Sequence, residues 1–371
     1  MDNEIFNRIQ AGLVRDQIGA GIAASGDNVT YTAGYEVPSQ VFPIRERLIF
    51  CILTAGGQNV MLVPDMEYTL AKSASRFSDV RMYNEFTQNP VYELKNILEE
   101  LGVSGEQVAI EDDFVPYAAL DQLYKCMPGT QFLSAHDFFA RQRMIKTQRE
   151  LDILRKVNKV AEQAHYYAAS KARSGITELQ YAQSLSEYLF TNGVESINKL
   201  VVGSGERSEY PNANPTSRAL RIGELVRADI FAKIQGYLSD VARTAVVGHP
   251  TEAQKAKWEI VFEARNLILE QIRPGAQTRE IYGAFCQHFG KKGLTPTNFV
   301  GHGLGITLHE DPYISSYHEQ ELQAGMVLAI EPMFFSNGEG YQLEEIVSVT
   351  TEGAELITNY HNPKDLIFIE P

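Results

Sequence analysis

The chain has 371 residues, 44% hydrophobic and 22% charged, with a formal net charge of −14. That length exceeds one comfortable core and predicts two domains of an ordinary soluble globular protein. The acidity argues against nucleic acid and anionic membrane as partners, since both demand clustered basic surface. The three cysteines, Cys51, Cys126 and Cys286, are odd in number, far apart and without CxxC spacing. They argue against a disulfide framework or thiolate zinc site and fit a reducing, cytoplasmic setting. The N-terminus is acidic and polar, without a signal-peptide pattern, and the longest purely apolar run, 48–53, suits a buried strand.

Residues 1–140 read as one α/β unit. Helical spacing covers 5–18, a short strand 20–24, and residues 29–35 lead into a loop. Residues 47–53 and 59–63 pair as strands across Ala55-Gly56-Gly57. Helices at 91–101 and 117–127 flank a strand at 107–111, which predicts a mixed sheet with helices packed on it. Nothing in this unit clusters as a catalytic set.

The boundary falls at 140–147, and 141–371 form the second domain. Thr147-Gln148-Arg149-Glu150 is a capping box, because the Thr hydroxyl and Glu carboxylate can satisfy reciprocal backbone amides. Leu151, Leu154, Val157, Val160, Ala161, Ala164 and Ala168 then keep to one helical face. Thr177 and Thr251 repeat the start signal, and a fourth helix covers 278–291. Strands are expected at 199–202, twice within 226–247, at 327–331 and at 341–350. The second domain is therefore α+β, with carboxylates concentrated on strands and helices as scaffolding.

Within 226–247, apolar and polar residues alternate up to Ile234, Gln235-Gly236 supplies a turn, and the chain runs back. A hairpin centred near Ile234-Gln235 sets Asp229 and Asp240 opposite each other on one face. Two facing carboxylates among Ala, Ile, Phe and Val repel and are costly to bury. A divalent cation between them removes that cost; so would pairing one of them with Arg227 or Arg243. Further on, His302 stands between Gly301 and Gly303, where the backbone can bend sharply or approach a ligand. His309 follows seven positions later. Glu331 ends the apolar run 327–330, and a carboxylate is seldom buried without a partner. Glu344-Glu345 opens another apolar strand, whose alternation turns one of the two inward.

In this order and these surroundings the residues resemble the pita-bread metallopeptidases: aminopeptidase P, prolidase, methionine aminopeptidase and the non-metal relative creatinase. The motifs are Asp229 and Asp240 with Gly236-Tyr237 and Arg243-Thr244, Gly301-His302-Gly303-x-Gly305 followed by His309-Glu310-x-Pro312, Ile330-Glu331-Pro332-Met333, and the late Glu344. The resemblance spans the whole chain. It implies an α+β fold in which a smaller α/β creatinase-like N-terminal domain precedes a pita-bread catalytic domain. It implies a dinuclear site with Asp229 on one metal, His302 and Glu331 on the other, and Asp240 and Glu344 bridging. Four carboxylates balance two divalent ions, and oxygen-rich ligation with one histidine suits Mn²⁺, Co²⁺, Fe²⁺ or Zn²⁺. His309 and Arg243 are the implied catalytic residues, His309 acting on the substrate or its developing oxyanion. A homodimer and a small peptide or amide substrate are implied as well.

Three stretches depart from the family pattern, one of them the usual D-F-G after the first ligand, which reads Asp229-Ile230-Phe231. The family stretch S-x-L-P-H-G-x-P-T reads here Ser208-Glu209-Tyr210-Pro211-Asn212-Ala213-Asn214-Pro215-Thr216, with Asn212 at the histidine position. An amide can orient a group but cannot shuttle a proton. Gln342 stands where aminopeptidase P and prolidase often carry arginine. Tyr210, Asn212, Gln342 and His309 are expected on the substrate side. The expected activity is metal-dependent hydrolysis of a C–N amide-type bond, of the Xaa-Pro aminopeptidase or dipeptidase kind. A small-molecule amide or cyclic-amidine hydrolase, as creatinase and ectoine hydrolase are, is the alternative on the same fold. A non-catalytic binding protein is the third, and it predicts lost ligands where none is lost.

Overall fold

The structure, a computed structural model, describes residues 4–41 and 47–371. The chain divides into two compact units, Met1–Arg143 and Met144–Pro371. Among the described residues no helix is long and apolar enough to cross a membrane.

The first unit is built on a six-stranded sheet. Its strands are β1 (Ala20–Ala23), β2 (Phe50–Thr54), β3 (Asn59–Pro64), β4 (Asp79–Tyr83), β5 (Gln107–Ile110) and β6 (Gln131–Ser134), in the order β4-β3-β2-β1-β5-β6. Strand β2 runs antiparallel to β1 and β3, whereas the remaining pairs are parallel. The sheet is thus mixed, as the alternation of elements predicts. Helix Pro90–Glu100 starts where Asn89 accepts from the Val91 amide and Pro90 presets the first turn. It buries Val91, Leu94, Ile97 and Leu98 against Phe50, Ile52, Leu62, Val108 and Ile110. Residues 29–33, for which the sequence named no helix, lie in helix Gly26–Ala33, and the chain then leads into a loop at Gly34. Ser25 caps the helix start, left-handed Gly34 (φ 81°) ends it, and burial of Val29, Tyr31 and Ala33 outweighs the weak helix propensity of Thr and Val.

The second unit holds four long helices, Gln148–Lys171, Glu178–Thr191, Glu252–Gln271 and Thr278–Lys291. The first three begin with complete capping boxes at Thr147/Glu150, Thr177/Gln180 and Thr251/Gln254. One sheet comprises β7 (Ser196–Ser204), β8 (Leu225–Ile234), β9 (Tyr237–Leu238) and β10 (Val241–Val247), with the late strand 367–369 on the far side of β10. A second sheet comprises β11 (Phe299–Gly303), β12 (Glu310–Ser315), β13 (Val327–Ile330) and two strands that follow the hairpin β14 (Met333–Ser336) and β15 (Glu339–Gln342). Those two are β16 (Glu345–Thr350) and β17 (Gly353–Leu356), and the order is β12-β11-β13-β16-β17. Trp258, Val261, Ile268, Phe285 and Phe289 from the last two helices pack with Leu328, Ile330 and Val347 of that sheet. Helices and strands share the core, and buried polar residues lie on both, among them Glu162 and His165 on helix Gln148–Lys171 and Asp229 and His302 on strands.

The β8 hairpin differs from expectation in register. Gln235 (φ 50°) and Gly236 (φ 82°) make the tight turn, both left-handed as a two-residue hairpin turn requires. Asp229 then faces Ala242 rather than Asp240. The two-residue offset leaves both aspartates on the same face, because side chains alternate with period two. Asp240 sits in a break between β9 and β10, its amide donating to Asn158 Oδ1 at 3.1 Å.

Candidate metal centre

Five chain segments meet where the two sheets of the second unit adjoin. Strand β8 supplies Asp229, the break before β10 supplies Asp240, and β11 supplies His302, which pairs with Ala329 of β13. Glu331 follows β13 directly, and Pro332 after it cannot continue the ladder. Glu344 precedes β16 and donates its amide to Ala242 O at 3.1 Å, tying one sheet to the other.

Ligand atoms of Asp229, Asp240 and Glu344 lie within 4.8 Å of one another; so do those of His302, Glu331 and Glu344, and those of Asp240, His302 and His309. Glu344 therefore joins the Asp229 side of the cluster to the Glu331 side. His302 Nε2 stands 3.4 Å from Asp240 Oδ2 and 3.5 Å from Glu331 Oε1. Asp229, Asp240, His302, Glu331 and Glu344 are all between 1% and 6% exposed.

Asp229 Oδ1, His302 Nε2 and Glu344 Oε2 are buried without a hydrogen-bond partner. Such groups are rare in folded proteins, because each retains its full desolvation cost. Burial, reinforced by the Glu331 carboxylate, pushes Asp229 up to about 7 against the opposing Arg227. Burial and the neighbouring carboxylates push Asp240 and Glu344 well above the usual range. The Nδ1 side of the His302 ring lies 3.0 Å from Gly303 O; the tautomer that donates there leaves the Nε2 lone pair facing the carboxylates. These orphaned acceptors and crowded carboxylates fit divalent cations, which would accept the lone pairs and offset the charge.

The cluster floors a cleft of about 580 Å³ whose apolar walls include Phe231, Phe299, Met333 and Phe335. Asn212 and His309 also line it, and both are exposed. The His309 ring stacks on His302 with centroids 3.8 Å apart and planes 16° apart. Desolvation of its packed face, and then His302, lower its pKa to about 4, so it is neutral near neutral pH. Gln342 lines the cleft and donates from Nε2 to Glu331 Oε2 at 3.2 Å.

Two expected site residues are placed elsewhere. Tyr210 is 52% exposed, its ring centroid stands 5.9 Å from Arg207 Cζ, and it is not part of the cleft wall; its backbone carbonyl accepts from Arg227. Arg243 is buried away from the cleft. It pairs with Glu162 at 3.1 Å and Glu345 at 3.2 Å and donates to the carbonyl of Glu344. It holds the backbone of a cluster residue and does not line the cleft. Arg227, weighed in the sequence only as a partner for an aspartate, donates instead to Gln342 Oε1 at 2.7 Å and to loop carbonyls. Its place two residues before Asp229, hence on the same face, was the available signal.

Known proteins bear on this arrangement. Residues 152–351 match the profile of metallopeptidase family M24, and residues 6–145 match that of the creatinase/prolidase N-terminal domain. An Xaa-Pro dipeptidase of Pyrococcus horikoshii is 28% identical over 362 residues, covering 96% of this chain and 97% of that protein. One from Pyrococcus furiosus is 30% identical over 311 residues, covering 83% and 86%. The crystal structure of the prolidase from Pyrococcus horikoshii superposes with a TM-score of 0.84 at 27% identity, over 98% of this chain and all of that one. That of dipeptidase PepE from Mycobacterium ulcerans gives 0.86 at 26% identity, with 100% of both chains covered. The fold is accordingly a pita-bread unit preceded by a creatinase-like one. With the family profile matching more than half of its length over the segment that carries all five clustered donors, the chain belongs to metallopeptidase family M24.

Proposed function

We propose that the protein is a divalent-metal-dependent hydrolase that cleaves the amide bond preceding proline in small peptides, as an Xaa-Pro dipeptidase or aminopeptidase. The observation that carries this is the buried five-donor cluster with three orphaned acceptors on the floor of an open cleft. Asp229, Asp240, His302, Glu331 and Glu344 would hold two ions, and Mn²⁺, Co²⁺, Fe²⁺ and Zn²⁺ all suit the donors. Bound there, such ions supply an activated water and polarise a carbonyl. The chain's own side chains do the rest. Neutral His309, at the cleft wall beside His302, donates a hydrogen bond to the substrate oxygen on which charge develops. The aromatic walls exclude water and receive the pyrrolidine ring. Asn212 orients a polar group of the substrate but delivers no proton. The names of the Pyrococcus relatives support the peptide class.

A second reading, hydrolysis of a small non-peptide amide or cyclic amidine, is favoured by Asn212 and Gln342, which depart from the peptidase pattern. The experiment that separates them offers metal-loaded protein Xaa-Pro dipeptides, longer Xaa-Pro peptides and small N-alkylated or cyclic amides. Cleavage of either peptide set supports the first; cleavage of the non-peptide amides alone supports the second. We assign catalysis to 141–371, with 1–140 as a separate domain. Three free cysteines support a reducing, cytoplasmic setting. A homodimer, implied by the family resemblance, is tested by light scattering on the eluting peak.

A further inference from the structure

Arg227 has no exposed surface. A buried charge is normally paired with an opposite one, yet the hydrogen bonds of this guanidinium go to neutral acceptors. Nε donates to Ser208 O at 3.0 Å, Nη2 to Pro211 O at 2.9 Å and to Tyr210 O, and Nη1 to Gln342 Oε1 at 2.7 Å. Its Cζ lies 5.7 Å from the centroid of the Phe335 ring of the cleft wall. Two consequences follow from those partners.

The first concerns Gln342. A guanidinium only donates and a carboxylate only accepts, so an amide lying between them has one orientation that satisfies both. Gln342 takes it, with Oε1 toward Arg227 and Nε2 toward Glu331 at 3.2 Å. Without the cation the amide is free to flip and present oxygen to oxygen. The second concerns the loop. Ser208, Tyr210 and Pro211 lead directly into Asn212 on the cleft wall, and their carbonyls converge on this one side chain.

We propose that Arg227 is a positioning residue that acts at both ends of the site: through Gln342 it fixes the Glu331 carboxylate for a divalent ion, and through three loop carbonyls it sets the wall that carries Asn212. The inference rests on Glu331 as a metal ligand and not on any particular substrate.

The test titrates metal-stripped protein with Mn²⁺ by calorimetry, after circular dichroism confirms each variant is folded. Arg227→Met and Gln342→Leu should each weaken Mn²⁺ binding about 10–100-fold, the usual effect of removing a group that orients a ligand. The double variant should be no weaker than the weaker single, because the two act in series. At saturating Mn²⁺, KM should rise more in Arg227→Met, which also frees the Asn212 loop, than in Gln342→Leu. Moving the cation by combining Arg227→Leu with Gln342→Arg puts a donor directly against Glu331 and should bring binding back to within about threefold of wild type. Gln342→Arg alone, with two adjacent guanidiniums, should not.

Single variants within about twofold of wild type, or losses that simply add in the double, overturn the proposal. If Arg227→Met does not fold, Gln342→Leu and the relocated pair decide: a relocated pair binding no tighter than Gln342→Leu overturns it. Wild type that takes up no divalent ion overturns the metal reading and this inference together. Wild type that binds while the variants are unaffected overturns the inference alone.

Discussion

His309 and Asn212 both line the cleft, and each carries a separate test. His309 is proposed to act on the substrate, so His309→Ala should keep its metal content and lose about 10²–10³ in kcat, the size expected for one oxyanion donor. An unchanged kcat would reduce it to a residue that packs on His302. Asn212→His restores a side chain able to move a proton, a role that typically contributes about 10²–10⁴-fold. Xaa-Pro cleavage should therefore increase in Asn212→His; loss of a small-amide activity with no gain on peptides would favour the second reading. At this scale the five donors were legible because each lies in its own short motif. Arg243 and Tyr210 were misplaced because a motif does not tell which way a side chain points. The role of Arg227 was hidden by distance, since its partner Gln342 lies 115 positions away.

Elements that set the cluster are held by buried polar contacts. Arg243 of β10 is enclosed by Glu162, on helix Gln148–Lys171, and Glu345 of β16, and it donates to the Glu344 carbonyl. Arg243→Met leaves two buried carboxylates short of a partner, although Glu345 keeps Arg265 at 3.2 Å. The cost should be about 3–5 kcal/mol, read as a clear drop in melting temperature of metal-loaded protein; an unchanged melt would contradict the structural role given to it here. Three of the four long helices were legible from their capping boxes, which are local. Helix Gly26–Ala33 was not, because burial rather than propensity decides it. The hairpin register was misjudged by two residues, since its turn is centred on Gln235-Gly236. The facing of the aspartates survived because two is the period of a strand.

For the whole molecule, the buried carboxylates link stability to pH and to metal. Asp229, raised to about 7, and Asp240 and Glu344, also raised, hold protons in the metal-free folded state that the unfolded chain has released. Between the ordinary carboxylate range near pH 4 and about pH 7, these three groups therefore destabilise the metal-free protein as pH rises, outnumbering His165 and His309, whose lowered pKa values act in the opposite sense. Its melting temperature should fall from about pH 5 to about pH 8, and metal loading should flatten that slope because cations replace the protons. A metal-free melting temperature that rises over this range, or a slope indifferent to metal, would contradict the account. The two-unit organisation was legible because length and composition bound it. The choice of substrate was not, because it depends on what Asn212, Gln342 and the cleft walls present together.

The central claim is metal-dependent cleavage before proline. The direct measurement is proline release from an Xaa-Pro peptide by metal-stripped protein as a divalent ion is titrated in. The account predicts no release without metal and activity that saturates at two ions per chain. Tight metal uptake with no release of proline, or release that survives complete chelation, would contradict it.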